Sequence, residues 1–245
     1  MARGLTVLRA LNRPGGSTLA ETAEATGLSY AAARRHLLAL TDLGYVRNQG
    51  RRHLPTPRVL ELGHAPLSTL TLPDIAQPHL VQLTAELGQS SSLTVLDGSD
   101  VRYVARSATS RITSAAIATG THLPAYATAM GRGLLAALPH DEARTRIDAA
   151  GPRPTSPAAL LAQLDATRET GHALVDQELE DGLRSIAVPV HDHAHHTVAA
   201  VNVALHSGPE TPEQSLAAIL PALRHCAAAL SADLAAAFPH GPVPR

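Results

Sequence analysis

The chain has 245 residues, 44% hydrophobic and 17% charged, which is enough to bury a core and excludes an intrinsically disordered protein. Its only cysteine is Cys226, which excludes a disulfide framework or a thiolate zinc site within one chain. With a net charge of -1, no apolar run near the ~18 residues of a membrane span and no secretory signal, the sequence predicts a cytoplasmic protein without a membrane partner.

The charges are unevenly distributed along the chain. All 20 basic residues are arginines, and residues 1–58 hold nine of them against three acids, a net charge of +6. The remainder has a net charge of -7. This polarity predicts a small basic module joined to a larger acidic one. The aromatic content of 2% disfavours recognition of single-stranded nucleic acid by stacking.

An amphipathic helix is predicted at the start of the chain. It covers residues 3–11, and its apolar face consists of Leu5, Leu8 and Leu11. The stretch Pro14-Gly15-Gly16 stops this helix, because neither residue type sustains helical backbone.

The next two helices show the pattern of a helix-turn-helix. Thr18-Leu19-Ala20-Glu21 is a capping box that begins the second helix, and Gly27 ends it. Ser29 can cap a third helix, whose inward stripe has helical spacing and consists of Ala33, Leu37 and Leu40. Ala23 allows two helices to cross closely, and Leu28 can fill their junction.

A short hairpin is predicted after the third helix. Two extended segments, 44–48 and 52–54, flank Gln49-Gly50-Arg51 and form a wing with an arginine-rich tip. Pro55 and Pro57 close this module, so we place a winged helix-turn-helix at residues 1–57.

The third helix offers a surface suited to the DNA major groove. Ala31, Arg35 and Ala39 face away from the core. Ala32 and Arg34 flank them, so small side chains and two arginines can approach base edges or phosphates. The alternative is a solvated arginine pair on an ordinary helical subdomain. The candidate DNA-binding residues are Thr18, Ser29, Tyr30, Ala31, Ala32, Arg34, Arg35 and, on the wing, Arg51 and Arg52.

From about residue 73 the pattern changes to mixed helices and strands. Hairpins at both ends with helices between them predict an α+β domain at 73–237 with a mainly antiparallel sheet. A linker helix at 58–72 precedes this domain, and a flexible tail at 238–245 follows it. Helices are predicted at 74–88, 128–138, 140–149, 157–170 and 212–236. Strands are predicted at 91–97, 101–106, 112–118, 185–191 and 197–205.

Two of these strands have one face of small side chains. In strand 185–191 this face carries Ser185 and Ala187, and in strand 197–205 it carries Ala200 and Asn202. The space favours a ligand pocket in which Ser185 and Asn202 supply hydrogen bonds. Close packing of helices on the same faces is the open alternative.

The helix predicted at 128–138 offers a place for a carboxylate. Thr128 can serve as its N-cap, which leaves the amides of Ala129, Met130 and Gly131 unpaired at the positive end of the helix dipole. A simple capped helix without a ligand is the alternative.

Together these features predict a pocket for a small organic acid. Its carboxylate would lie at the helix N-terminus, and the small strand faces favour a flat ring or short chain, hence an aromatic or dicarboxylic acid. Arg111 is a weaker candidate for a second carboxylate. The candidate effector-binding residues are Tyr126, Thr128, Ala129, Met130, Ser185, Asn202 and Arg111.

Other chemistry has little support in the sequence. The histidine-rich run 191–196 falls at a hairpin and lacks the partners of a fixed site, so we predict no metal and no cofactor. Common enzyme motifs, such as G-x-S-x-G and the P-loop, are absent, so we predict no catalytic residues. The alternative function is an enzyme or metal-binding protein acting through the C-terminal domain.

Nearly the whole chain resembles the IclR family of transcriptional regulators. In the N-terminal part, RGLTVLRAL, TLAETAEATGLSYAAARRHLLALTDLGYV and TPRVLELG carry the resemblance. In the C-terminal part, it is carried by GTHLPAYATAMGRGLLAAL and by VDQELEDGLRSIAVPV with VAAVNVAL. The patterns around Thr128 and Ser185 are most similar to regulators of protocatechuate and related aromatic-acid catabolism.

This resemblance implies a fold and a function. It implies a winged helix-turn-helix, a linker helix and a GAF-like domain that binds a small effector. It also implies a homodimer or a dimer of dimers on a pseudo-palindromic operator in double-stranded DNA. Effector contacts in the family come from positions matching the Ala129 and Met130 amides, Ser185 and Asn202. We therefore expect a transcriptional regulator controlled by a small organic acid.

Overall fold

The structure is a computed structural model that describes residues 2–60, 71–109, 117–151, 156–241 and 243. The chain divides into two compact units, Met1–Thr69 and Leu70–Arg245. Most of the predicted linker helix and of the predicted strand 112–118 lies outside the described residues, as does Arg111. The described start of the linker, Pro57–Leu60, is a 3₁₀ turn.

The N-terminal unit has three helices and a small antiparallel sheet. The sheet order is β1-β3-β2, so the wing is a three-stranded sheet, whereas the sequence predicted only its hairpin. The elements are α1 (Ala2–Leu11), β1 (Ser17–Thr18), α2 (Leu19–Thr26), α3 (Tyr30–Asp42), β2 (Val46–Gln49) and β3 (Arg52–Pro55).

The predicted signals for helix ends are confirmed in this unit. Thr18 and Glu21 form a capping box: the Glu21 amide donates to Thr18 Oγ1, and the Thr18 amide donates to a Glu21 carboxylate oxygen. Gly27 ends α2 in the left-handed conformation at φ 65°, which glycine adopts without a steric penalty. The Ser29 side chain accepts from the Ala32 amide and so caps α3.

The core of this unit corrects one prediction. Val7 and Leu11 are buried on α1, and they pack with Leu37 of α3 and Val46 of β2. Leu5, predicted to lie on the apolar face, is 54% exposed. The reason is that α1 packs through Val7 and Leu11, four residues apart, and Leu5 projects from the other side of the helix.

The C-terminal unit is built on a six-stranded antiparallel sheet of order β6-β5-β4-β9-β8-β7. Its strands are β4 (Ser90–Asp97), β5 (Asp100–Ser107), β6 (His122–Pro124), β7 (Ala173–Asp176), β8 (Leu183–His191) and β9 (Thr197–His206). Its helices are α4 (Leu72–Leu87), α5 (Ala129–Ala136), α6 (His140–Ala149), α7 (Pro157–Thr170) and α8 (Pro212–Ala237). The predicted α+β class is confirmed; β6 and β7 were not predicted, and α5 ends two residues early.

Helices cover both faces of this sheet. On one face, α4 and α8 pack on the aliphatic side of the long strands, which includes Ile186, Val188 and Val201. On the other face, α5, α6 and α7 pack on the small side chains, which include Ala187 and Ala200. The alternation predicted for β8 and β9 is therefore confirmed, and it places the small faces toward α5.

By its length and composition alone, helix α8 is long and apolar enough to cross a membrane. Its buried side chains, among them Leu223 and Leu230, pack in the core shared with α4 and the sheet.

Two side chains of the segment 238–245, expected to be a flexible tail, also reach the core shared by α4, α8 and the sheet. Phe238 packs against this core, and Val243 is buried within it.

Candidate functional sites

The outer face of α3 is the first candidate site. Tyr30, Ala31, Arg34 and Arg35 are exposed, and Ala32 is half-buried. In the predicted inward stripe, Ala33 and Leu37 are buried, and Leu40 is half-buried against the core of the unit. Within the described part of the chain, the guanidinium groups of Arg34 and Arg35 make no hydrogen bond or ion pair. The helix therefore presents two uncommitted cations among small side chains, a surface that fits a major groove.

The two arginines predicted for the wing differ in their environment. Arg51 is exposed in the β2–β3 turn beside Gly50, whose φ is 63°. Arg52 instead donates to the Gly16 carbonyl at 2.9 Å and lies 3.4 Å from the carboxylate of Glu21. Arg52 thus connects the wing to the start of α2.

The chain before α2 passes very close to the wing. A Cβ on Gly16 would lie 2.3 Å from the His53 carbonyl oxygen, and Gly16 has φ 68°. Only glycine fits at this position, and its carbonyl accepts from Arg52. The backbone of Ser17 and Thr18 can therefore pair with β3, which fixes the wing against the helices.

The second candidate site is a pocket between the sheet and α5. The empty space among its lining atoms, including open solvent at its mouth, is about 400 Å³, and the lumen is narrow. Most of the lining is apolar, as in small-molecule sites generally. The lining residues are Tyr103, Ile117, Ala127, Thr128, Ala129, Met130, Val175, Leu179, Leu183, Ser185, Asn202 and Ala204.

Five predicted effector residues meet in this pocket. Thr128, Ala129, Met130, Ser185 and Asn202 all line it. Tyr126 does not: its side chain packs at the edge of the core shared by α5, α6 and α7. Arg111 lies outside the described residues.

The sheet contributes an incompletely paired amide to the pocket. Asn202 is 2% exposed, and its Nδ2 donates to Ser185 Oγ at 3.0 Å. Its Oδ1 is buried and has no partner among the described residues. If the amide is turned over, Ser185 donates to Oδ1 and Nδ2 is left unpaired, so one polar atom remains open in either orientation. A buried polar atom without a partner is costly, which favours a ligand that pairs with it.

The N-terminus of α5 forms another wall of the pocket. The Gly131 amide donates to Thr128 Oγ1 at 3.1 Å, so the prediction of three unpaired amides was wrong for Gly131. Within the described chain, the amides of Ala129 and Met130 have no partner, and they lie in the first turn, where helical amides have no intrahelical acceptor. Two donors at the positive end of the helix dipole thus remain.

A close contact positions this helix. A Cβ on Gly131 would lie 2.1 Å from the carbonyl oxygen of Ala125, in the 3₁₀ turn Ala125–Ala127. Glycine at 131 therefore lets this turn fold directly onto α5. The turn places Ala127 in the pocket wall next to the free amides.

Sequence reasoning missed Tyr103 as a pocket residue. It lies on β5, is 4% exposed, and its hydroxyl makes no hydrogen bond within the described chain. Burial raises the pKa of Tyr103 to about 12, so the hydroxyl stays protonated at neutral pH and can donate a hydrogen bond. The signal for it was available in the sequence. Tyr103 lies two residues after Val101 on a predicted strand, so both side chains are on the same face, in a chain with few aromatic residues.

The histidine-rich run forms the hairpin between β8 and β9. Asp192 Oδ1 accepts from the amides of Ala194 and His196 at 2.9 Å, which shapes this turn. Across the described ranges, no group of three or more His, Cys, Asp or Glu side chains is arranged to hold a metal ion.

Comparison with known proteins matches both units to one family. The IclR helix-turn-helix domain matches residues 1–50, and the C-terminal domain of the bacterial transcriptional regulator IclR matches residues 64–232. Over 231 residues the chain is 40% identical to the Pca regulon regulatory protein of Pseudomonas putida, covering 91% of this chain and 79% of that protein.

Solved structures agree with this assignment. A transcriptional regulator from Rhodococcus sp. RHA1 has a TM-score of 0.87 at 44% identity, covering 96% of this chain and 97% of its own. A double mutant of the PobR inducer-binding domain from Acinetobacter, in complex with 3-hydroxybenzoic acid, has a TM-score of 0.59 at 32% identity, covering 66% of this chain and 98% of its own. The chain therefore belongs to the IclR family of bacterial transcriptional regulators, which bind DNA through the helix-turn-helix domain and small-molecule inducers through the C-terminal domain.

Proposed function

We propose that this regulator binds a small hydroxylated aromatic acid in the pocket between the sheet and α5, and that binding changes its affinity for a DNA operator. One observation carries the proposal: Ala129 and Met130, whose amides are free, line the same narrow pocket as Asn202, which has an unpaired polar atom. The similarity to a protein named for the Pca regulon and to a domain holding 3-hydroxybenzoic acid supports this ligand class.

The carboxylate of the ligand pairs with the N-terminus of α5. A carboxylate accepting from two backbone amides gains charge-assisted hydrogen bonds, each worth about 1.5–3 kcal/mol. The helix dipole adds about 0.3–1 kcal/mol in an exposed setting and more where the site is partly buried, as here. Thr128 contributes by capping the helix, because its Oγ1 already accepts from Gly131.

The opposite end of the ligand pairs with the sheet. A ring hydroxyl can donate to Asn202 Oδ1 and accept from Tyr103, two polar side chains of the lining with unused hydrogen-bonding capacity. Met130 and Val175 contact the apolar ring. Among the described lining residues there is no arginine or histidine to pair with a second carboxylate, which favours an aromatic monocarboxylic acid over a dicarboxylic one.

The same lining favours binding over turnover. Its described members include no histidine, aspartate, glutamate or cysteine that could act as a base or nucleophile. The relatives are transcriptional regulators, and we propose that this chain likewise acts on DNA in the cytoplasm and not as an enzyme.

A proline substitution tests the carboxylate site directly. Ala129 is the first residue of α5, where proline fits helical backbone but has no amide proton. Thr128, at φ -118° and ψ 146°, already has the backbone conformation preferred before proline. We expect Ala129→Pro to weaken binding of 3-hydroxybenzoate about 10- to 100-fold, the loss of one charge-assisted hydrogen bond.

The matched control is Ala129→Val, which adds bulk at the same buried position but keeps the amide. Calorimetric titration of the full chain with 3-hydroxybenzoate compares the two variants. Equal affinity in both, with each variant folded by circular dichroism, contradicts the proposed role of the amide.

For DNA, we propose that the outer face of α3 enters the major groove, with Arg34 and Arg35 reaching base edges or phosphates. Arg51 would then contact the flanking DNA backbone, while Arg52 supports the wing through its hydrogen bond to the Gly16 carbonyl. The caps of α2 and α3, Thr18 and Ser29, also bring hydroxyl groups to helix N-termini, where phosphates bind. We propose a dimer or a dimer of dimers on a pseudo-palindromic operator.

Arg35→Ala tests this interface. If Arg35 contacts a base edge, its loss costs about 1–3 kcal/mol of specific binding while non-specific binding changes less. The control is Arg144→Ala, which removes the same charge from an exposed position on α6. Footprinting on the regulator's own operator measures the effect. If the footprints of both variants match that of the wild type, the assignment of α3 is contradicted.

A further inference from the structure

Arg132 is a charged side chain buried beside the pocket, and it connects two parts of the pocket wall. Its side chain is 4% exposed. The Nε donates to the Tyr126 carbonyl at 2.8 Å, and both terminal nitrogens donate to the carboxylate of Glu178, Nη1 at 2.8 Å. Ala127, next to Tyr126, and Leu179, next to Glu178, both line the pocket.

Glu178 and Leu179 belong to the segment 177–182, here named the flap, which joins β7 to β8. The ends of the flap are fixed: the Gln177 amide donates to the Leu183 carbonyl at 2.7 Å, and the Ser207 amide donates to the Gly182 carbonyl at 2.7 Å. The middle is more open, since Glu178 has 36% of its side chain exposed. Leu179 packs in neither hydrophobic core of the unit and contributes to the pocket lining instead.

We propose that the Arg132–Glu178 ion pair is a latch that holds the flap over a bound acid and sets how fast that acid enters and leaves. If Glu178 moves away, the guanidinium of Arg132 stays buried with the Tyr126 carbonyl alone, and an uncompensated buried charge is strongly unfavourable. The free protein therefore keeps the flap closed for most of the time. Because Leu179 moves with Glu178, ligand exchange must wait for the pair to break.

The latch can be tested without any ligand by hydrogen exchange of the full chain. We expect Glu178→Gln to speed amide exchange in the flap at least tenfold, while β8 and β9 stay as protected as in the wild type. The control is Glu180→Gln, an exposed acid of the same flap, which should exchange at the wild-type rate. Unchanged flap exchange in Glu178→Gln, or an equal increase in both variants, overturns the latch.

A second measurement follows the ligand and rests on the proposed function. Exchange of carboxyl-¹³C-labelled 3-hydroxybenzoate between free and bound states is measured by NMR on the full chain. We expect dissociation at least tenfold faster in Glu178→Gln than in Glu180→Gln, with association no slower. Arg132→Lys keeps the charge but cannot form two parallel hydrogen bonds to the carboxylate. Its dissociation rate should therefore lie between those of Glu178→Gln and Glu180→Gln.

The two measurements separate failure of the latch from failure of the proposed function. If the wild type binds 3-hydroxybenzoate but both glutamate variants release it at the wild-type rate, the latch is wrong and the pocket stands. If the wild type does not bind this acid at all, the proposed ligand class is wrong, and the hydrogen-exchange result alone decides on the latch.

Discussion

Asn202 Nδ2 donates to Ser185 Oγ at 3.0 Å across the neighbouring strands β9 and β8, and this bond leaves Asn202 Oδ1 buried and unpaired. The register pairs Asn202 with Ala187 and Ser185 with Ala204, so the two polar side chains meet diagonally on the small face of the sheet. This bond orients the amide, and under the proposed function the other polar atom of Asn202 pairs with the ligand.

The first prediction concerns selectivity for a ring hydroxyl. Asn202→Leu removes the partner of that hydroxyl, so we expect binding of 3-hydroxybenzoate to weaken by about 1–3 kcal/mol. Benzoate, which lacks the hydroxyl, should lose little. Calorimetry with both acids checks this, and an equal loss for the two would mean that Asn202 only shapes the pocket. Ser185→Val, which frees the amide to rotate, should reduce the same selectivity in part.

The second prediction separates the two wing arginines. If Arg51 neutralises a phosphate, Arg51→Ala should reduce the slope of log affinity against log salt by about one unit, without changing the fold. Arg52→Ala should instead speed hydrogen exchange in Ser17–Thr18 and the first turn of α2, because Arg52 holds Gly16 and Glu21. Identical behaviour of the two variants in both assays would contradict the structural role of Arg52.

The third prediction concerns how the free energy of unfolding of the C-terminal unit depends on pH. Arg184, buried in the C-terminal unit, donates to Asp176 at 2.8 Å and holds the pKa of Asp176 below its usual range. For an acid whose folded pKa is lowered, the added stability is complete above the unfolded pKa of about 3.9 and is lost as pH falls through the folded pKa. We expect Asp176→Asn to cost ~1–3 kcal/mol at pH 7 and progressively less below about pH 4.

Urea unfolding of the C-terminal unit at several pH values checks this. The control is Asp148→Asn, whose carboxylate lies 3.8 Å from Arg144 at an exposed position on α6. A stability difference between wild type and Asp176→Asn that stays constant from pH 7 to pH 3 would contradict the assignment.

Features set by residues close in sequence could be predicted. The caps at Thr18 and Ser29 and the left-handed Gly27 depend on hydrogen bonds and backbone geometry within a few residues. The small faces of β8 and β9 follow from the two-residue period of a strand, and Ser185 and Asn202 on these faces line one pocket.

Features set by distant residues could not. The hydrogen bond from Arg52 to Glu21 joins residues 31 positions apart and depends on the pairing of β1 with β3. No local sequence pattern predicts this pairing. Tyr103 reaches the pocket only because the sheet order places β5 beside β4 and near α5. Leu5 was placed on the buried face because it forms a helical spacing with Leu8 and Leu11. The buried face is decided by how the helix packs on its neighbours, and that face carries Val7 instead.

Binding of a carboxylate at the N-terminus of α5 can be tested with a matched pair of ligands. 3-Hydroxybenzoate and 3-hydroxybenzyl alcohol share the ring and the hydroxyl but differ in the charged group. In calorimetric titrations of the full wild-type chain at pH 7, we expect the acid to bind about tenfold or more tighter than the alcohol, a difference of about 1.4 kcal/mol. Equal affinity for the two, or binding of the alcohol alone, would contradict it.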